Sequence, residues 1–262
     1  MTGTEFSKGQ LISRYGEISV VETKPLTVDK PYVIVGLPEV GLVGVIATSH
    51  IVGELKMTDV GYLDSEMLPP VVTIHDSEPK YPLRIFQRDR ILLVISEVSL
   101  PAYFIFPLTR AIVDWAKSKG AEFVVGLSGL PTPNRTEIEK PSIIGIATTP
   151  ETKDLLSKSN VPPFEQGVIV GAYALLLRES LRKEQPNITL FAESHHQFPD
   201  PGASASILEA LSRILNVDIN VKALLEKAEE IRLKARELMR QTQQSMEAMS
   251  KAQERGTPSV YV

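Results

Sequence analysis

The stretch from Asn220 to Arg255 contains neither proline nor glycine, and residues that favour helices dominate it. Apolar side chains recur in it at alternating steps of four and three residues, a spacing that places them on one stripe of a helix: Leu224, Ala228, Ile231, Ala235 and Leu238. At ~1.5 Å per residue, about 36 residues form a rod of roughly 54 Å. The ~218 residues before it should form a body only about 44 Å across. We therefore expect a straight helix here to overhang that body.

The stripe itself predicts how this helix packs. Alanine holds alternate positions, and beyond Leu238 the sequence becomes polar, with Met239, Met246 and Met249 on or near the stripe. A thin stripe of this kind favours a partner helix in an oligomer over burial within one subunit. We take these five stripe residues as a candidate self-association seam. The alternative is that the helix folds back on its own core.

The residues that follow are predicted to end the helix and to form a flexible tail over 256–262. Gly256 and Pro258 both disfavour continuation of a helix. The sequence then closes with Val260, Tyr261 and Val262. An apolar residue, a tyrosine and a terminal carboxylate on a long stalk are suited to enter a pocket of a partner protein.

The chain before the stalk alternates between short apolar runs and helical patterns, which is typical of an α/β domain. A hairpin around Asp89 makes the sheet mixed. We predict a flexible N-terminus (1–16), one α/β core with a mixed sheet flanked by helices (17–218), a helical stalk (219–255) and the tail. Strands are predicted at 17–23, 32–36, 59–63, 71–76, 83–87, 90–96, 122–126, 142–148, 167–170 and 188–192. Helices are predicted at 45–54, at 103–119, after Pro150, at 172–184 and at 203–215.

Composition excludes several classes of protein. Lysine and arginine number 28 against 32 aspartates and glutamates, which argues against nucleic acid as the main partner. With no cysteine, the chain has no disulfides and no thiolate zinc site, and a cytosolic setting fits. The sequence contains no apolar run of ~18 residues and no signal-peptide pattern. We expect a soluble cytoplasmic protein that does not bind a membrane.

A glycine-rich run, Gly36 to Gly44, links a predicted strand to a predicted helix. Backbone amides at such a helix start can cradle a phosphate, but the run lacks the Lys-Ser/Thr of a Walker loop and the dinucleotide spacing of glycines. The alternative is that the glycines let strand and helix pack closely.

Glu193, His195, His196 and Asp200 follow the last strand, at the edge where α/β proteins bind ligands. Gly36, Gly41, Gly44, Glu193 and His195 form a candidate pocket; we predict no metal site.

No set of catalytic residues emerges from the sequence. Gly126-Leu127-Ser128-Gly129 resembles a nucleophile elbow, but Leu130 stands where the last glycine belongs and prolines follow instead of a helix. Glu97 is a candidate general base with no acid paired to it in the sequence. We therefore predict a protein that is not an enzyme and uses no cofactor.

Several motifs resemble the family of proteasome assembly chaperones: Gly36-Leu37-Pro38 with Gly41-Leu42-Val43-Gly44, Gly126-Leu127-Ser128-Gly129-Leu130-Pro131, Gly167-Val168-Ile169-Val170-Gly171, and Ala192-Glu193-Ser194 with Pro199-Asp200-Pro201. The resemblance covers about residues 30–238, and the order and spacing of the motifs carry it. The closing Val260-Tyr261-Val262 is similar to the hydrophobic-tyrosine-any (HbYX) tail of proteasome activators.

This resemblance implies a nucleoside-phosphorylase-like α/β body in a homo-oligomer, tetrameric in an archaeal relative, whose helical arms present the tails to pockets between α-subunits of the 20S proteasome. The leading hypothesis is an ATP-independent proteasome activator or adaptor. An assembly chaperone for α-subunits is one alternative, and a nucleoside- or phosphate-binding domain is another. Expected partners are the α-subunits, further copies of the chain and unfolded substrate proteins.

Overall fold

The computed structural model describes residues 2–7, 10–26 and 28–256. Ten strands form one sheet in the order β1-β2-β3-β5-β8-β9-β4-β10-β12-β11, and β6 and β7 form a separate hairpin. The strands are β1 (Thr2–Ser7), β2 (Gln10–Tyr15), β3 (Ile18–Glu22), β4 (Tyr32–Gly36), β5 (Thr58–Asp64), β6 (Thr73–His75), β7 (Glu78–Lys80), β8 (Leu83–Arg88), β9 (Ile91–Ser96), β10 (Phe123–Pro131), β11 (Ile143–Ala147) and β12 (Asn187–Ser194).

The predicted mixed sheet is confirmed. β9, β4, β10 and β12 are parallel neighbours, while the strands on either side of them pair antiparallel. The helices are α1 (Val43–Glu54), α2 (Ala102–Ser118), α3 (Pro150–Lys158), α4 (Ala172–Lys183), α5 (Pro201–Leu215), α6 (Lys222–Glu226) and α7 (Ala228–Gly256). A 3-10 turn, Val40–Leu42, leads into α1.

The sheet separates two apolar cores. Successive side chains of a strand point to opposite faces, so Ile34 of β4 packs with α1 and α5, whereas Val33 and Val35 pack with α2 and α4. Both faces are covered, which explains why the central strands read as continuous apolar runs. Trp115 is buried in the second core, and its indole N–H donates to the carboxylate of Glu22 over 3.1 Å.

Two helices begin where the sequence carries strong start signals. Thr149 caps α3, and its hydroxyl accepts a hydrogen bond from the Thr152 backbone N–H over 3.3 Å. Pro150 then occupies the first turn of α3, where its missing N–H costs nothing. Asp200 caps α5 in the same way and is followed by Pro201. Both caps act locally, within the first turn of the helix.

Four expectations about local structure differ from the structure. The N-terminal segment, predicted to be flexible, contains β1 and β2, because β1 pairs with β2 and β2 pairs with β3, which satisfies their backbone groups. The run 71–76 contributes a short strand to the separate hairpin and none to the main sheet. The run 167–170 is not a strand, because the edge strand β11 already bonds to Pro162 and Phe164. The stalk is interrupted at Lys227, between α6 and α7.

No helix in the described ranges is long and apolar enough to cross a membrane.

Candidate functional site

The carboxyl ends of the parallel strands, together with the starts of α1, α4 and α5, form the edge of the sheet where the sequence places its candidate pocket. The three glycines of that pocket are packed against the protein's own atoms. A Cβ on Gly36 would lie 2.2 Å from Thr48 Oγ1, and one on Gly44 would lie 2.3 Å from the Leu127 carbonyl oxygen. Gly41 has a φ of +62° and lies against Ser194. The close-packing interpretation therefore accounts for this run.

Glu39 fills the position at the start of α4 that an anion would take. Its Oε1 accepts a hydrogen bond from the Ala172 backbone N–H, and its Oε2 accepts one from Ser128 Oγ over 3.1 Å. The side chain is buried, and Gly171 leaves room for it, because a Cβ there would lie 2.3 Å from Oε1. The protein thus places its own carboxylate where phosphate-binding folds place a ligand. The sequence did contain a signal for this role: Glu39 is an acidic residue inside an otherwise apolar, glycine-rich run.

Burial raises the pKa of Glu39 to about 7, and the hydrogen bonds from Ala172 and Ser128 only partly offset that rise. The unfolded chain loses this proton near its ordinary pKa, whereas the folded protein keeps it to about pH 7. Stability contributed by the protonated group is therefore fully present below pH ~4.5 and lost as the pH rises to ~7.

We expect Glu39→Gln to remove this part of the pH dependence, because the amide offers one acceptor and one donor at the same places. Relative to the wild type, its free energy of unfolding should rise by up to about 3 kcal/mol between pH 5 and pH 8. Urea denaturation at both pH values measures this difference. The exposed Glu17→Gln is the control. Parallel behaviour of Glu39→Gln and the wild type at the two pH values would contradict the assignment.

The other candidate catalytic residues have structural partners. Ser128 is buried, and its hydroxyl donates to Glu39, so it is not the exposed nucleophile of an elbow. Glu97 lies in a half-buried polar cluster, where it accepts a hydrogen bond from Arg84 over 2.9 Å and contacts His75 Nε2 at 2.9 Å. Neither geometry presents a reactive atom to an open cavity.

The candidate residues at the end of β12 and in the loop after it do not converge on one point. Glu193 accepts from the Ser142 backbone N–H over 2.8 Å at the edge strand, whereas the His195 ring lies edge-on to Phe198 with centroids 6.2 Å apart. Burial lowers the pKa of His195 below its ordinary value. In the described part of the chain, no group of three or more histidine and carboxylate side chains is arranged to hold a metal ion.

Asp200 is held by a residue that sequence reasoning missed. Arg135 lies 65 positions earlier, and its guanidinium contacts both carboxylate oxygens of Asp200, at 3.0 and 2.8 Å. Both side chains are buried, and Asp200 also accepts from the backbone N–H groups of Ala203 and His195. The pair joins the loop after β10 to the start of α5. No sequence signal connects the two positions.

Four of the five seam residues lie against the protein's own body. Leu224 is 2% exposed, and Ile231, Ala235 and Leu238 pack on the core formed with α1 and α5, as does the fully buried Met239. Ala228 is half-buried at the start of α7. The alternative in which the helix folds back therefore describes this structure, and self-association through the same stripe would require α7 to leave the core.

α7 then crosses the carboxyl edge of the sheet. Ser245 Oγ lies 3.1 Å from Ser99 Oγ, in the loop after β9, and Met249 packs on the core formed with α2 and α4. Three ion pairs lie within the described part of α7: Arg232 with Glu229, Lys234 with Glu230, and Arg240 with Glu237. The predicted overhang is therefore wrong as far as Met249. The tail residues Val260, Tyr261 and Val262 lie outside the described residues.

Comparison with known families and sequences places this chain among proteins of one type. The model of the PAC2 family matches residues 33–239. An uncharacterized protein of Methanocaldococcus jannaschii is 30% identical over 232 residues, which cover 88% of this chain and 94% of that protein.

Two crystal structures from Pyrococcus furiosus share the fold. PbaA, an archaeal homologue of proteasome-assembly chaperone, superposes with a TM-score of 0.79 at 31% identity and covers 83% of this chain and 96% of its own. PbaB, an archaeal proteasome activator, superposes with a TM-score of 0.71 at 25% identity and covers 84% of this chain and 98% of its own. The similarity spans the sheet, its flanking helices and most of the chain length.

Proposed function

Because this chain belongs to the PAC2 family, we propose that it binds the 20S proteasome in the cytoplasm as an ATP-independent activator or adaptor. The observation that carries the proposal is the shared fold with PbaA and PbaB over more than four-fifths of the chain. We assign recognition of the 20S proteasome to Val260, Tyr261 and Val262, which match the HbYX pattern.

Each tail residue has a distinct role in this proposal. Val260 fills an apolar notch between α-subunits, Tyr261 orders the pocket through its ring and hydroxyl, and Val262 supplies a carboxylate to a basic side chain. Docking opens the gate of the α-ring only to the extent that the tails bind the open ring more tightly than the closed one.

One tail alone should bind poorly. Burial of Val260 and Tyr261 contributes ~1.5–3 kcal/mol each, and a carboxylate bonded to a lysine adds about 1.5–3 kcal/mol. Association costs about 4–15 kcal/mol in lost freedom. Several tails on one homo-oligomer, a tetramer in our proposal, overcome this cost, because the later tails bind at a high effective concentration. Since the α7 stripe packs on its own core, the oligomer must use another surface or release α7.

The test is capture of purified 20S particles by the full-length protein and by a variant that lacks Val260–Val262. We expect the deletion to reduce capture to background, and one glycine added after Val262 to do nearly the same, because it moves the carboxylate. Ser259→Ala, next to the tail, is the matched control and should bind normally. Undiminished capture by the deletion variant would refute the tail mechanism.

An assembly chaperone for α-subunits is the second candidate, favoured by the likeness to PbaA. The two functions differ in the particle that is bound. An activator binds finished 20S particles, whereas an assembly chaperone binds free α-subunits or α-rings and not the finished particle. The same capture experiment with free α-rings separates them.

A further inference from the structure

The segment 165–170, which leads into α4, has open backbone groups. Among the described residues, none of its N–H and carbonyl groups bonds to another backbone group. The backbone hydrogen bonds on either side of it are those of Phe164 with Gly145 and of Leu175 with Gly171. Consecutive residues with unpaired backbone groups form an edge to which a strand of another chain can pair.

The side chains of this segment alternate as they do in a strand. Val168 is 82% exposed and Val170 is 52% exposed, whereas Ile169 packs on the core formed with α2 and α4. Valine and isoleucine also favour strands. The run predicted as a strand at 167–170 therefore has the side-chain pattern of a strand and lacks only a partner strand among the described residues.

A groove of about 360 Å³ opens beside the end of the segment, and Val170 and Gly171 form part of its wall. Met246 and Met249 of α7 also line it. A strand added next to Val170 would lie about 4.8 Å away, so one of its side chains reaches the groove. Flexible, polarizable methionines accept apolar side chains of different shapes.

The charges at this surface restrict the partner. Glu165 is exposed at the start of the segment, and Glu247 is exposed at the groove. Neither 165–171 nor the set of described residues that line the groove contains a lysine or an arginine. The surface therefore favours neutral or basic chains over acidic ones.

We propose that the segment 165–170 binds an extended apolar polypeptide, neutral or basic in charge, as an added β-strand. Backbone hydrogen bonds supply the affinity, while Val168, Val170 and the groove select apolar side chains at alternate positions. In an adaptor this site holds an unfolded chain beside the proteasome, a consequence that rests on the proposed function.

The size of the segment favours a bound peptide over a second copy of the chain. Stable interfaces bury ~800 Å² on each partner over about 20–30 residues, so six residues at that rate give roughly 200 Å². That area is too small to hold two folded subunits together, but it suits the weak and reversible binding of an extended chain.

The first test measures binding of a labelled peptide to the full-length protein by fluorescence anisotropy. The peptide has about eight residues of alternating threonine and leucine, flanked by lysines. N-methyl groups on alternate amides block one edge of the peptide at a time. We expect methylation of one edge to weaken binding at least about tenfold and methylation of the other at most about twofold, because an added strand pairs through one edge only. Glutamates in place of the flanking lysines should weaken binding at least about twofold.

The second test locates the bound peptide by disulfide trapping, since the sequence contains no cysteine. A peptide that carries an activated cysteine is offered to Val168→Cys and to the matched control Val72→Cys, a valine that is 61% exposed and directly precedes β6. We expect trapping at least about fivefold faster at position 168, because binding raises the effective concentration of the peptide there. Val170→Cys replaces Val168→Cys should that variant fail to fold.

Equal trapping at the two positions, or equal effects of the two methylations, would overturn the proposal. Val168→Cys chains that link to each other faster than they trap the peptide would also overturn it, since the occupant would then be a second copy. Neither test involves the proteasome. Peptide trapping without 20S capture would uphold this site and refute the proposed function, and 20S capture without peptide trapping would do the reverse.

Discussion

Replacing Arg135 with methionine is expected to lower the free energy of unfolding by about 3–5 kcal/mol, because it leaves a buried charge without its partner. Asp200 is fully buried, and the guanidinium contacts both of its carboxylate oxygens. After the substitution, the described hydrogen bonds that remain on this carboxylate come from the backbone N–H groups of Ala203 and His195. The cap of α5 and the loop after β12 should loosen together.

Two further variants sharpen this prediction, with urea denaturation as the measurement. Arg213→Met is the matched control, because that residue is exposed and its hydrogen bonds among the described residues go to the Ser159 and Glu209 carbonyls. Its loss should cost less than about 1 kcal/mol. Adding Asp200→Asn to Arg135→Met removes the stranded charge and should recover at least about half of the loss. Equal effects of Arg135→Met and Arg213→Met would show that the buried pair contributes no special stability.

Gly44→Ala should destabilise the fold by at least about 2 kcal/mol, because the added methyl group meets atoms that cannot move away. A Cβ on Gly44 would lie 2.3 Å from the Leu127 carbonyl oxygen and 2.6 Å from the Tyr173 hydroxyl oxygen. That hydroxyl accepts from the Leu37 backbone N–H and donates to the Val35 carbonyl. One methyl group would therefore disturb β4, β10 and α4 at once.

The same helix supplies the control. Gly53, near the other end of α1, has no atom within 4 Å of its added Cβ. Gly53→Ala should therefore raise the free energy of unfolding by about 0.5–1 kcal/mol through helix propensity alone. Thermal or urea unfolding of the two variants should thus show opposite signs. A neutral Gly44→Ala would mean that α1 shifts easily away from β10, against the close packing described above.

Sequence patterns predicted well wherever the determining interactions are local. The apolar run Val33–Val35 lies in the strand predicted at 32–36 and is typical of a strand covered on both faces, and the structure places it between the two cores. Pro150 predicted the start of α3, and α5 begins two residues before its predicted start at 203. The glycine run predicted close packing of strand and helix, which the contacts of Gly36 and Gly44 show. In each case neighbours along the chain carry the physical cause.

The sequence by itself determined the alternation of strands and helices, the long terminal helix and its apolar stripe, because these depend on periodicity and local caps. Only the tertiary structure decided what the stripe covers, since a stripe packs equally well on its own body or on a partner helix, and here α7 lies on its own cores. Tertiary structure alone also brought Arg135 to Asp200 and Glu39 to the start of α4, across 65 and 133 positions. Such contacts depend on chain segments far apart in sequence, and no local pattern encodes them.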